Sequence, residues 1–123
     1  MPRLGQRVAE ALVPWYDQAF VRSVEYTESG VISWLFTRLG RGAVTWNKRV
    51  HFAVNRYDAE SVSILALIAH ELLHVQQQQE MGWLHFLAGY LWHWPGSQGG
   101  RSHPLEAPAY ARQDEVNAAL STP

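Results

Sequence analysis

Apolar residues recur along this 123-residue chain in groups whose spacing changes from segment to segment. Leu4, Val8 and Leu12 are separated by polar residues at helical intervals and predict a short helix over residues 4 to 13, ended by Pro14. From Phe20 to Tyr26 apolar and polar positions alternate, which predicts a strand broken at Ser29-Gly30. Val31 to Leu39 spaces Ile32, Leu35 and Phe36 like a helix, closed by Gly40. Two β runs follow, Ala43 to Trp46 and Arg49 to Val54, with Asn47-Lys48 between them as a hairpin turn in which Lys is a poor second residue. A small sheet therefore precedes the longest periodic stretch, residues 59 to 81.

That stretch has Asp58 and Ser61 as candidate N-caps, Glu60 as a first-turn carboxylate and Gly82 as a C-terminal stop. Wound at about 100° per residue, it places His70, His74, Leu67 and Ser63 on one face and Leu65, Ile68, Leu72 and Val75 on the other. The apolar pattern lapses after Val75, so Gln76 to Gln79 reads as a solvated helix end. Gly82 to Trp94 is apolar on most sides, and at about 13 residues it is too short to span a bilayer. It lacks the Lys/Arg face of an interfacial helix, so a place in the core is expected. Pro95 to Pro104, with three glycines, reads as a flexible loop. A second helical pattern starts after His103, with Pro104 suited to its first position. These elements make one α+β domain.

Composition narrows the function classes. With 47% hydrophobic residues the chain can bury a real core, and a formal net charge of −1 leaves no electrostatic footprint for nucleic acid. Cysteine is absent, so any metal must be held by His and carboxylate. Met1 to Pro14 carries Arg3 and Arg7 without an apolar core, so a protein that is cytoplasmic, or released without a secretory signal, is expected.

The chemistry is concentrated in His70-Glu71-Leu72-Leu73-His74, an H-E-x-x-H motif. Residues four apart on a helix stand one above the other, so both imidazoles can point at one zinc ion. Glu71, about a quarter-turn round, can reach a water there without being a ligand, as a general base must. A catalytic zinc takes three protein ligands, and the candidates for the third are Glu106, His103, His85, His93, Glu80 and the pair Asp114 and Glu115. The H-E-x-x-H-x-x-G-x-x-H arrangement is excluded, because Gln77 and Glu80 stand where its glycine and third histidine would be. His51 alternates with Val50 and Phe52 and is expected to be exposed.

The order of the segments adds a resemblance. Ala43 to Phe52, Arg56-Tyr57-Asp58, Leu67 to Gln77, Gly82 to Trp92 and His103 to Tyr110 together resemble a compact gluzincin-like family. These are small metallopeptidase-like domains related to the minigluzincins and to a domain found beside bacterial contractile injection systems, with the pattern H-E-x-x-H-V-x-Q followed by E-x-x-A-Y. The resemblance covers about residues 43 to 115. It implies a compact zincin-like fold in which the motif helix faces a second helix bearing a glutamate ligand. It also implies His70, His74 and Glu106 as zinc ligands and Glu71 as general base. Gln77 matches the family glutamine, either orienting a ligand or standing half-exposed. Tyr110 matches the family tyrosine; of its two readings, donor to a developing oxyanion and packing residue, packing is favoured. Pro108 departs from the pattern, removing a backbone donor close to Glu106.

The expected function is zinc-dependent hydrolysis of a peptide or protein substrate, which pairs as an extended strand with Arg49 to Val54. The competing expectation is a catalytically silent binding or assembly module of a secretion or phage-tail-like system, reaching a protein partner through Trp83 or Trp92. A third is a latent peptidase blocked by its own N-terminal segment or tail.

Overall fold

The computed structural model describes residues 2–28, 43–46, 48–52, 58, 60–97 and 101–121, with backbone alone at residues 46 and 93–97. The elements are α1 (Gln6–Ala11), α2 (Gln18–Ser23), β1 (Glu25–Thr27), β2 (Ala43–Trp46), β3 (Arg49–Phe52), α3 (Val62–Met81), α4 (Trp83–Ser97) and α5 (Ala107–Ser121). The fold is α+β, mostly helical, with one mixed sheet. The helix expected over Val31 to Leu39, its flanking breaks and Asn47 lie outside the described residues.

The N-terminus departs from the periodicity. Leu4 is extended rather than helical: its N–H donates to the Val24 carbonyl, and Tyr26 N–H donates to Pro2, so residues 2–4 lie along β1. The strand expected from Phe20 is a helix as far as Ser23, because Asp17 caps it by accepting the Phe20 N–H at 3.3 Å. Val21 and Val24, three apart, are both fully buried, which is the helical spacing hidden inside the alternation. Only Glu25–Thr27 remains as strand.

The sheet order is β1-β3-β2. β3 runs parallel to β1, with Tyr26 opposite Val50, and antiparallel to β2, with Thr45 opposite Val50. The β2–β3 hairpin is the expected one, and Lys48 adopts φ 64, the left-handed conformation that such a turn needs and a Cβ resists. Arg49 to Phe52 is thus the central strand, not the free edge expected for peptide pairing; among the described residues β2 lies at the edge. His51 is buried rather than exposed, on a strand flanked by β1 on one side and β2 on the other. Burial and the nearby Arg49 charge hold its pKa below the ordinary value of 6.5.

α3 is the spine. Ser61 caps it, accepting the Ile64 N–H at 3.4 Å, and Gly82 ends it at φ 82. Glu60 falls before the cap rather than in the first turn, while Asp58 accepts the Glu60 N–H. Ile68, Leu72 and Val75 are fully buried with Val8, Leu12 and Val50, each side chain contributing about 1.5–3 kcal/mol. Tyr16 reaches this helix from the loop after α1, donating its hydroxyl to the Ala69 carbonyl at 2.7 Å. The opposite, histidine-bearing face is buried as well, under α5.

Gly82 to Trp94 is helical but not all core: Phe86 is buried, whereas Trp83 (46%), Leu84 (64%), Leu91 (59%) and Trp92 (82%) are exposed. Residues 95–97 continue α4 instead of starting a loop. α5 begins at Ala107, later than Pro104, so Pro108 occupies its first turn, where a missing N–H costs no intrahelical bond and no kink follows. No helix among the described residues is long and apolar enough to cross a membrane.

Candidate metal centre

His70 and His74 project from one face of α3 toward the residue that precedes α5, Glu106. Glu106 is held there by main-chain bonds: its N–H donates to the His103 carbonyl and its own carbonyl accepts the Tyr110 N–H. Glu106 Oε1 lies 2.9 Å from His70 Nε2 and 2.5 Å from His74 Nε2. All three side chains are buried, and their ligand atoms lie within 4.8 Å of one another, a group that could hold a metal ion. The donor set fits a divalent cation: two imidazole nitrogens and one carboxylate oxygen converge on a small volume.

The far side of each imidazole is also bonded. Gln77 Nε2 donates to the Leu105 carbonyl at 3.1 Å, which turns its Oε1 to His74 Nδ1 at 2.8 Å. Gln113, on α5, presents Oε1 to His70 Nδ1 at 2.8 Å. An amide oxygen only accepts, so each Nδ1 carries a proton and each Nε2 is the nitrogen turned to the centre.

The electrostatics follow from this packing. Burial would lower the His74 pKa, but the hydrogen bond to Glu106, the Glu71 and Glu106 charges and the bond to Gln77 raise it above the ordinary value. Burial would raise the Glu106 pKa, but hydrogen bonds and charge from the two imidazoles hold it well below the usual carboxylate range.

Glu71 is buried on the side of the sheet, where Thr45 of β2 donates its hydroxyl to Glu71 Oε2 at 2.6 Å. The Tyr110 and His70 rings meet edge to face, centroids 4.5 Å apart, and the Arg101 guanidinium lies 4.7 Å from the Tyr110 ring centroid.

The remaining candidates for third ligand are placed elsewhere. His103 is fully buried but both its nitrogens are committed: Nδ1 accepts the Leu105 N–H at 3.0 Å and Nε2 donates to the Tyr90 carbonyl at 2.8 Å. His85 and Glu80 are exposed. Asp114 pairs with Arg101 and Glu115 with Arg112. The side chain of His93 lies outside the described residues.

Three residues of the site escaped the sequence reading. Tyr90 donates its hydroxyl to Glu106 Oε2 at 3.0 Å, and nothing in an aromatic-rich stretch singles it out. Gln113 had a signal, since it stands seven residues after Glu106, two helical turns on. Gln78, read as part of a solvated end, is buried and donates to the Thr45 carbonyl at 3.2 Å.

In a comparison with protein-family models, the eCIS core domain matches residues 3–82. The match takes in both histidines and Glu71 and ends before Glu106. No curated protein and no solved structure matches the chain.

Proposed function

The chain belongs to the eCIS core domain family, of extracellular contractile injection systems, and on that premise we propose that it is a compact gluzincin-type zinc metallopeptidase domain serving such a system. The observation that carries this reading is the convergence of His70 Nε2, His74 Nε2 and Glu106 Oε1 beside Glu71 of the same H-E-x-x-H helix. His70, His74 and Glu106 would hold the zinc, which when bound supplies a Lewis acid that acidifies water and polarises a carbonyl. Glu71 is the general base: it takes the proton of the attacking water and returns it to the leaving amine. Thr45 holds Glu71 Oε2, so Oε1 is the oxygen for that transfer. Gln77 and Gln113 keep both imidazoles turned to the centre. The strand that reaches this machinery through Thr45 is β2, the edge of the sheet among the described residues, and an extended substrate would pair there rather than on β3.

The test begins with metal. Untagged protein, assayed by elemental mass spectrometry, is expected to hold about one zinc per chain, lost or greatly weakened in Glu106→Ala. A peptide-library screen then follows with zinc-loaded protein. No zinc after reconstitution would sink the reading.

A second reading, a catalytically silent or latent assembly module of the injection system, is favoured by one observation. Trp83, Leu84, Leu91 and Trp92 stand exposed along α4, the helix that also carries Phe86 and Tyr90. Zinc-loaded protein that cleaves no library peptide but loses a partner on Trp92→Ser would favour this reading over the first.

A further inference from the structure

Glu106 offers two oxygens, and the fold treats them differently. Oε1 takes both imidazole nitrogens, while Oε2 accepts the Tyr90 hydroxyl. A carboxylate bonded at one oxygen by a fixed donor cannot rotate to exchange its oxygens without breaking that bond. Tyr90 is fixed from three sides. Its ring lies against His103, centroids 4.3 Å apart at 30°, and against Phe86 at 6.0 Å. Its carbonyl accepts His103 Nε2–H, and His103 Nδ1 in turn accepts the N–H of Leu105, the residue before Glu106. The turn that carries Glu106 is therefore tied to Tyr90 twice, through its main chain by way of the fully buried His103 and through its carboxylate directly.

From this closed circuit we infer that Tyr90 is a positioning residue of the metal centre: it sets which oxygen of Glu106 faces the two histidines and holds it there before a cation arrives. The inference rests on the reading of His70, His74 and Glu106 as zinc ligands. Partners that orient a metal ligand typically contribute 10- to 100-fold in metal affinity, because the ligand no longer loses its rotational freedom on binding.

Tyr90→Phe removes one oxygen and leaves the ring that packs on His103 and Phe86, so the fold is expected to be retained. The experiment is a zinc titration of the untagged full chain against a chromophoric chelator, for wild type and Tyr90→Phe, with thermal melting of both zinc-free proteins alongside. The visible spectrum of the cobalt-substituted forms reports the ligand geometry. The expected result is about tenfold or weaker zinc binding in Tyr90→Phe, an altered cobalt spectrum and a zinc-free melting temperature close to wild type. Equal zinc affinity in the two proteins, or a weakening matched by loss of the zinc-free fold, would overturn the positioning role while leaving the peptidase reading intact. Wild type that binds no zinc would overturn both. Tyr90→Phe that binds zinc weakly while wild type cleaves no peptide would uphold the positioning role and count against the peptidase alone.

Discussion

Thr45 on the edge strand donates its hydroxyl to Glu71 on the H-E-x-x-H helix at 2.6 Å, across 26 residues of chain. The bond is buried and its acceptor is a carboxylate, so removing the donor alone leaves Glu71 short of a partner. Thr45→Val, which keeps the shape, is expected to destabilise the protein by about 1–3 kcal/mol, measured by urea unfolding. A change within about 0.5 kcal/mol would show that the bond contributes little.

On the proposed function, Glu71→Gln separates the base from the ligands. The amide keeps the volume and can still accept from Thr45, and Glu71 is not one of the three converging ligands. Zinc content equal to wild type with no measurable peptide hydrolysis is expected. Retained hydrolysis would remove Glu71 from the base role.

Tyr16 ties the N-terminal helices to α3 one residue before His70. Burial pushes its pKa up to about 12 from the ordinary 10, with the Arg112 charge working against the shift. A raised folded-state pKa contributes stability that is fully present below pH 10 and is lost as pH rises through about 12. Absorbance titration at alkaline pH should show one tyrosine ionising late, and Tyr16→Phe should abolish that step. The same variant is expected to cost about 1 kcal/mol by removing the buried hydrogen bond to the Ala69 carbonyl.

Lys48 holds the hairpin turn at φ 64 against the clash of its own Cβ. Lys48→Gly relieves that clash, and after the entropy that glycine loses on folding a gain of about 0.5–1 kcal/mol is expected. Thermal melting of the variant below wild type would show that the lysine side chain stabilises the turn in another way.

Much of this molecule is local and was legible in the chain. Ser61, the helical spacing of Ile64 to Val75 and Gly82 determine α3, and the H-E-x-x-H spacing determines that two imidazoles share a face, because caps and periodicity act within a turn or two. The β2–β3 hairpin is equally local. The alternation from Phe20 misled because the cap at Asp17 and the burial of Val21 outweigh a weak strand pattern. Spacing alone left the third ligand open among several residues, and Glu106 came from the resemblance; what only the tertiary structure decided is long-range: both imidazoles on one Glu106 oxygen, Tyr90 on the other, Gln113 behind His70, and β3 in the middle of the sheet. Those pairs are brought together across tens of residues by the packing of α5 and α4 on α3. Side-chain spacing within one element carries no record of which face of another will arrive opposite it.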